Sequence, residues 1–402
     1  MKVMESSNDW ELKSLRDLAT INYGRSPAAI LSIDGLYPVV GTGGTERLGN
    51  DYLHEGESII VGRKGTIDRV HFATGRFWTI DTAYYLSDFK ESVPRWLFYF
   101  LQAIDLRQMN EATGVPSLSR DLLYKLQIPT PPKPEQIKIA EILSTVDRAI
   151  EQTEAIITKQ QRIKTGLMQD LLTRGIDEHG NIRSEETHEF KDSPLGRIPV
   201  EWEVKYLMEI VAITEGQRDP KREPYHDWLL VAPDHIESKS GLLLTKKTAR
   251  EQGAISGKYE FSCGDVVYSK IRPYLRKAVL VDFNGLCSAD MYPLRPKEGV
   301  RSEFVLMVIL GERFSRYAES VSERSGFPKI NRKELSEFRV ALPSGSEQNR
   351  MATFAKELST SSVHNKTHLS KLRSIKTALM QDLLTGKKRV TALLNDTEEI
   401  TS

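Results

Sequence analysis

The amino-acid sequence predicts an α+β fold class: two similar mixed α/β domains separated by two long antiparallel coiled-coil helices, in a pseudo-twofold symmetric arrangement. The stretch 163–173 returns almost unchanged as 375–385, at a constant offset of 212 residues. The pair Trp-Glu at 10–11 likewise returns at 202–203, an offset of 192. A repeating unit this long is a whole domain followed by a helix, because solenoid and propeller repeats span only ~20 to 50 residues.

The composition of the 402 residues bounds the class of protein. Cysteine occurs only at Cys263 and Cys287, which excludes a disulfide framework and a cysteine-rich zinc site. The longest apolar run, 304–310, is much shorter than the ~20 residues that cross a bilayer, so we expect a cytoplasmic chain without membrane association. Because the net charge is only +1, a nucleic-acid surface would have to concentrate its basic residues locally.

Each copy contains short strand-like runs bounded by glycine and proline, followed by helical stretches. The runs are 37–40, 58–61, 229–231 and 266–269, and the helical stretches are 94–109 and 302–319. This mixture predicts α+β domains. The offset between copies grows from 192 near residue 24 to 208 at Gly56 and its counterpart Gly264 and then to 212, so the second domain holds a net insertion of about 20 residues. Insertions collect in surface loops, where binding specificity also resides.

Composition and spacing divide the chain into six segments. They are a first domain (1–130), a helical spacer (131–175), an acidic linker (176–199), a second domain (200–343), a second helical spacer (344–388) and a tail (389–402). The linker is polar and is expected to run over the surface, and the tail is expected to fray.

The sequence of each spacer predicts a long helix. The side chains that would face a partner helix form one line along it, called the seam below. The proline-rich joint 128–134 is not expected to be helical, so the first helix is predicted from Glu135 to about Thr173. Its seam positions alternate three and four residues apart, the pattern of a coiled coil. Both seams are apolar at the ends, and the second is polar in the middle, which favours antiparallel pairing of the two helices about an axis near Thr153 and Asn365. The alternative is that each helix packs only on its own domain.

Ten seam residues are predicted to form the spacer helices or to bind partners: Ile142, Val146, Ile156, Ile163, Leu167, Phe354, Leu358, Leu372, Ile375 and Leu379.

Signatures of catalysis are largely absent from the sequence. No Gly-x4-Gly-Lys-Ser/Thr phosphate loop occurs, and Thr130-Pro131-Pro132-Lys133 resembles an amino-methyltransferase tetrapeptide only in its prolines. Asp81 and Asp290 occupy corresponding stretches, but no Glu-x-Lys follows, so turn capping is favoured over a nuclease site. His364 and His368 lie four residues apart without a further metal ligand, and we predict no metal site.

Basic segments recur at corresponding positions and indicate DNA binding. Stretch 61–65 matches 269–273, and each follows a strand, so its side chains should project from a loop toward phosphates or guanine edges. A second surface is the turn Gly114-Val115-Pro116-Ser117, matched at 326–329, and a third is the glycine loop 41–45. The alternative for one copy alone is an ordinary solvated basic turn. The candidate DNA-binding residues are Gly43, Thr45, Arg63, Lys64, Ser117, Arg120, Lys270, Arg272, Tyr274, Arg276, Lys329, Asn331 and Arg332.

Taken together, these motifs resemble the specificity subunit, HsdS, of type I restriction-modification enzymes. The resemblance rests on Trp-Glu near each domain start, the two Gly-x-Pro turns, the run 131–136 entering a helix, and Leu-Met-Gln-Asp-Leu-Leu-Thr closing it. It covers nearly the whole chain.

The resemblance implies that each domain is a target-recognition domain for one half of a split, asymmetric double-stranded DNA site. It also implies that the helices dock two methyltransferase subunits and that restriction subunits join the full complex. S-adenosylmethionine, ATP and Mg²⁺ are then expected in the partner subunits, with no cofactor and no catalysis in this chain. Two alternatives stay open at this point: a nuclease or methyltransferase with a cryptic site of its own, and a coiled-coil scaffold without a DNA role.

Overall fold

The structure is a computed structural model that describes residues 10–322 and 327–398, with the backbone alone described for 359–363 and 395–398. The first domain opens with β1 (Glu11–Ser14), α1 (Leu15–Leu18), β2 (Thr20–Tyr23), β3 (Tyr37–Gly41), β4 (Gly44–Gly49), β5 (His54–Glu55), β6 (Ser58–Gly62), β7 (Val70–Ala73), β8 (Arg76–Thr79) and β9 (Ala83–Ser87). It continues with α2 (Pro94–Ala103), a 3₁₀ turn (Leu106–Met109), α3 (Arg120–Tyr124) and β10 (Gln127–Thr130).

Two four-stranded sheets form this domain, in the orders β2-β9-β6-β7 and β4-β3-β8-β5. The first and last strands, β1 and β10, pair antiparallel with Glu11 opposite Thr130, which closes the domain. Helix α2 starts with Pro94, a residue that fits the first helical turn because its missing donor is not needed there. Its residues 96–101 are all buried, so the helix lies inside the core of this domain.

Helix α4 (Lys133–Thr173) follows directly after β10. It begins two residues earlier than the sequence predicted, because Pro134 lies within the first turn, where proline is tolerated. The linker carries two short paired strands, β11 (Phe190–Lys191) and β12 (Ile198–Pro199).

The second domain has the same plan. Its elements are β13 (Glu203–Tyr206), α5 (Leu207–Ile210), β14 (Val211–Ile213), β15 (Gln217–Arg218), β16 (Leu230–Val231), β17 (Lys258–Phe261), β18 (Val266–Ser269), β19 (Ala278–Leu280), β20 (Gly285–Cys287), β21 (Met291–Pro296), α6 (Ser302–Leu310), α7 (Glu312–Ser322), α8 (Arg332–Glu337) and β22 (Arg339–Leu342), with 3₁₀ turns at Tyr225–Asp227, Pro233–His235 and Pro273–Leu275. The sheets are ordered β14-β21-β18-β19 and β15-β17-β20-β16, and β13 pairs with β22. The predicted α+β class with two similar domains is confirmed.

The chain ends with helices α9 (Gly345–Leu384) and α10 (Thr391–Glu398). The chain divides into two compact units, one made of 1–156 with 365–402 and the other of 157–364. Each unit therefore combines one domain, the first half of the helix that follows it, and the last half of the other long helix.

In the second unit, the start of α9 is fixed by a buried carboxylate. Glu347 accepts hydrogen bonds from the backbone of Ile176 (2.9 Å) and the indole of Trp202 (3.0 Å), and it forms an ion pair with Arg183. Both charged side chains are buried, at 2% and 8% exposure, so each neutralises a charge that would be costly alone. The expectation that the linker runs over the surface is therefore wrong for its first part, which enters this joint.

The first unit has an equivalent joint at the start of α4. Buried Glu135 pairs with Arg389 (Nε to Oε2, 2.9 Å), whose guanidinium lies 5.7 Å from the Trp10 ring. Val390 is buried in the same core. The prediction of a frayed tail after Lys388 is wrong for Arg389 and Val390, which the ion pair and the core hold, and residues 391–398 continue as the helix α10.

The next residue of each joint is a glutamine with the same three bonds in both units. Gln136 accepts from the backbone of Val93 and donates to the carbonyls of Glu91 and Pro131. Gln348 likewise accepts from Arg301 and donates to Gly299 and Pro343. Each amide ties the helix start to the loop before α2 or α6.

Within the first unit, α4 and α9 run antiparallel. Asp147 pairs with Lys376 (2.7 Å) and Glu154 with Arg373 (2.7 Å), so a step forward along α4 is a step backward along α9. In this register Thr153 lies opposite the helical turn of α9 that contains Arg373. The sequence predicted that it would lie near Asn365, which is about two helical turns away along α9. Ser361, which the three- and four-residue spacing of the second seam places in its polar middle, lies outside the described side chains.

Candidate nucleic-acid interface

The basic segment and the Gly-x-Pro turn of the first domain form one surface. Lys64 bridges Ser117 in an antiparallel pair, Gly65 N donates to Pro116 O at 2.9 Å, and Leu118 N donates to Arg63 O at 2.9 Å. The turn thereby continues the end of β6. Two candidate surfaces that the sequence presented separately are joined by backbone hydrogen bonds.

The second domain repeats this arrangement. Ile271 bridges Lys329, Arg272 N donates to Pro328 O at 2.9 Å, and Ile330 N donates to Lys270 O at 2.9 Å. The glycine of this turn, Gly326, lies outside the described residues. The same pairing of a basic segment with a turn therefore occurs once in each unit.

Hydrogen bonding corrects the alignment of the two basic segments by one residue. The sequence offset of 208 matched Arg63 with Ile271, whereas the backbone bonds match Arg63 with Lys270. Lys270 therefore stands at the position of half-buried Arg63, but it lies deeper. Lys270 is 7% exposed and donates to the carbonyl of Ala289, and burial lowers its pKa. Its predicted exposed position is wrong.

A tyrosine and two arginines stand together in the first domain. The guanidinium carbons of Arg63 and Arg120 lie 5.2 Å and 4.8 Å from the centre of the Tyr23 ring, which is 45% exposed. Tyr23 packs edge-on against Tyr84, whose pKa is raised by burial. Arg63 also donates to the backbone carbonyl of Asp81, at 3.2 Å. An exposed ring with cations on it suits stacking of a base and contact with a phosphate.

The second domain replaces that tyrosine with a carboxylate. Glu215 stands 192 residues after Tyr23, the local offset between copies, and pairs with Arg332 at 2.7 Å. Arg332 lies 5.8 Å from the ring centre of Tyr292, the counterpart of Tyr84. An arginine is therefore present in both domains, Arg120 and Arg332, but in the second domain Glu215 compensates its charge. Neither Tyr23 nor Glu215 was among the predicted site residues, although the glycine that follows each one marks the match.

The remaining predicted residues differ in exposure. Lys64, Arg272, Tyr274 and Lys329 are exposed, whereas Ser117, Arg120, Arg276 and Arg332 are half-buried. Arg276 pairs with Glu312 at 3.4 Å. Asn331 caps α8 by accepting from Glu334 N at 2.9 Å, so its carbonyl oxygen is already engaged.

The glycine loop 41–45 is the tip of the β3–β4 hairpin. Gly43 and Thr45 are exposed there, and His71 Nε2 lies 3.1 Å from the carbonyl oxygen of Thr42. His71 belongs to β7, which pairs with β6, the strand that leads to Arg63. Contact of this tip with DNA stays a prediction.

The described part of the chain contains one cluster of side chains that could bind a metal ion. Glu223, His226 and Asp227 form its one group with metal-ligand spacing, but Arg250 donates to His226 and pairs with Asp227 at 3.0 Å. A cation of the protein thus occupies the position a metal would take. No helix among the described residues has the length and apolarity to cross a membrane.

The predicted seam residues are partly packed and partly open. Half-buried members are Ile142, Val146, Leu167, Phe354, Leu358, Leu372 and Leu379. Ile156, Ile163 and Ile375 are 50%, 48% and 49% exposed. Ile163 and Ile375 occupy equivalent positions of the two repeats, so each long helix presents an open isoleucine at the same place.

Residues 7–160 and 199–373 match a protein family described as the type I restriction modification DNA specificity domain. The chain belongs to this family. It is 26% identical to the EcoDI specificity subunit of Escherichia coli over 87% of this chain and 81% of that protein. It is 24% identical to the MjaVIII specificity subunit of Methanocaldococcus jannaschii, over 95% and 93% of the two chains.

Solved structures share the fold. The S subunit of a type I restriction-modification system from M. genitalium superposes with a TM-score of 0.63 at 17% identity, over 94% of this chain and 97% of that one. A chain from a study of complex assembly and conformational transition in the type I system gives a TM-score of 0.57 at 14% identity, over 95% and 99%. Two specificity domains in one chain agree with the two units of this fold.

Proposed function

We propose that this chain is the DNA-specificity subunit of a type I restriction-modification system, in which each domain reads one half of a bipartite, asymmetric site. The observation that carries the proposal is the basic segment bridged to a turn once in each domain, on a chain that belongs to the specificity family. Different side chains on these two equivalent surfaces suit two different half-sites, because base contacts specify whereas phosphate contacts only position.

The long helices are proposed to dock two methyltransferase subunits, which would methylate adenine N6 with S-adenosylmethionine. The half-exposed Ile163 and Ile375 support this, since they are equivalent and would serve two copies of one partner. Restriction subunits, with ATP and Mg²⁺, would join the same assembly. Catalysis would then lie in the partners, and this chain would contribute recognition.

The test is sequencing of methylated adenines in host cells that carry loop variants of one domain. Replacement of residues 113–117 should change one half of the methylated site and leave the other half and the spacing intact. A matched replacement of 327–329 should change the opposite half. If either variant altered both halves, the assignment of one half-site to each domain would be refuted.

A further inference from the structure

The second domain has an enlarged hairpin where the first has a short one. In the first domain, β3 and β4 meet at the tight tip Gly41–Gly44. In the second, β16 occupies the place of β3, and Leu230 N donates to Lys247 O at 2.9 Å, so segment 247–249 runs where β4 would. The tip between them extends over 232–246. This is where much of the predicted insertion lies.

The enlarged tip, residues 232–246, is ordered by its own backbone. Ile236 bridges Leu243, Leu244 N donates to His235 O at 2.7 Å, and Glu237 N donates to Leu242 O at 2.9 Å. It is also attached to the basic turn: Lys239 N donates to Arg276 O at 3.2 Å. Tip and basic turn therefore form one continuous surface in this domain.

Backbone strain is concentrated at this attachment. Four non-glycine residues in the described chain have a positive φ, and three of them are Lys239 (64°), Arg272 (48°) and Arg276 (47°). Such conformations are unfavourable for residues with a Cβ and persist only where surrounding bonds impose them. All three are basic, so the strained backbone presents cations.

The side chains of the tip combine exposed leucines with charges of both signs. Leu242 and Leu244 are 45% and 61% exposed, whereas Leu243 between them packs into a core cluster. The acids Asp234 and Glu237 lie in the first part of the tip, whereas 238–250 has no acid and four basic residues. Two of these are ion-paired, Lys246 with Asp282 and Arg250 with Asp227, which leaves Lys239 as the cation at the end of the tip. Exposed leucines beside cations fit DNA, whose phosphates attract the lysines and whose thymine methyl groups offer an apolar edge.

We propose that the tip 232–246 and the turn 272–276 form an additional base-reading element in the second domain, with Leu242 and Leu244 on an apolar base edge and Lys239 on a phosphate. This inference rests on the proposed function, because it presupposes that the second domain binds DNA. It assigns part of the second half-site to a loop that the first domain lacks.

The test uses the full chain in complex with its methyltransferase subunits and a DNA library randomised over both half-sites. One variant combines Leu242→Ser with Leu244→Ser. Another is Lys239→Gly, in which glycine accepts the positive φ and removes the cation without strain. The matched control is Ile255→Ser, an aliphatic side chain 75% exposed in the same domain but outside the tip.

The leucine variant should lower discrimination at one or two base pairs of the second half-site by roughly tenfold. Lys239→Gly should weaken all sequences alike and reduce the salt dependence. An unchanged base profile, affinity and salt dependence in both variants would overturn the inference, as would lost methyltransferase binding with normal DNA binding. Absence of any DNA preference in the unaltered complex would instead refute the proposed function itself.

Discussion

The helix joints of the two units are built alike, whereas the loops beside their basic segments are not. Glu135 and Glu347 each receive an arginine from a segment that follows the opposite long helix, and the next glutamine makes the same three bonds. In contrast, Tyr23 in one domain is Glu215 in the other, and a tight hairpin tip becomes the 15-residue tip 232–246.

This difference separates the parts of the chain that hold it together from the parts that select a ligand. A buried ion pair tolerates little change, because removal of one partner leaves an uncompensated charge. An exposed loop tolerates insertions at small cost in closure entropy. Two copies of one fold are therefore free to diverge at their loops while keeping joints with the same glutamate–arginine pair and the same glutamine.

The largest effect is expected at the two buried glutamates. Glu347→Ala should lower the free energy of unfolding by about 3 to 5 kcal/mol, because it strands buried Arg183 and also removes the partner of the Trp202 indole. Glu135→Ala should cost less, since Arg389 is 27% exposed and the indole nitrogen of Trp10 has no partner among the described residues. Urea unfolding measures both, with exposed Glu357→Ala as control. An equal loss for all three would contradict the comparison.

The next effect concerns the two basic surfaces. Tyr23→Glu should give Arg120 the compensated environment of Arg332, so the complex with methyltransferase subunits should bind DNA more weakly by about 1 kcal/mol, with a salt slope smaller by about one. Glu215→Tyr should act in the opposite direction. Salt titration of DNA binding measures both, and Tyr23→Phe is the control that keeps the ring. If affinity and slope stay the same in Tyr23→Glu, Arg120 makes no DNA contact.

A loss of unfolding free energy below that of the two glutamates is expected from a polar network of the first unit. The Tyr99 hydroxyl donates to Asp147 at 2.7 Å, and burial raises the pKa of Tyr99, so the proton stays in place. Tyr99→Phe should cost about 1.5 kcal/mol. The position 208 residues later is Met307, which has no hydroxyl, and Met307→Leu should be nearly neutral because volume is conserved. Thermal unfolding distinguishes them, and a neutral Tyr99→Phe would show that this network does not stabilise the unit.

The smallest effect belongs to the surface pair Glu154 and Arg373, whose side chains are 43% and 63% exposed. Arg373→Gln should cost roughly 0.2 to 1 kcal/mol at low salt and less at high salt, because exposed pairs are screened. Unfolding at two ionic strengths measures it. A loss that did not decline with added salt would mean that Arg373 acts through packing and not through charge.

Much of the fold was predictable because it follows from local patterns. Alternating apolar residues, glycine and proline boundaries and the constant repeat offset sufficed for the domains and for helices α4 and α9 within a few residues. The joints were not predictable, because Arg389 is 254 residues from Glu135 and no periodicity links them. The tail was misjudged for the same reason.

At the candidate interface, residue type was a good guide and orientation was not. Lys270 and Arg63 occupy equivalent positions, yet Lys270 is buried with its ammonium on the Ala289 carbonyl, whereas Arg63 lies against the exposed Tyr23 ring. The cation on Tyr23 and the strained turn at Lys239 depend on backbone angles and distant contacts. Sequence patterns give no information about backbone angles or about contacts between distant residues.

The exchange of helix halves between units has a consequence for synthesis on the ribosome. The first unit contains residues 1–156 but also 365–402, and Leu383, Leu384 and Val390 lie in its core. Its own domain is translated first, and at ~5 to 20 residues per second the remaining segment follows roughly 10 to 50 s later. During that interval the apolar face of α4 and the carboxylate of Glu135 lack their partners. We therefore expect the yield of folded chain to be most sensitive to a chaperone, or to premature release, during this interval.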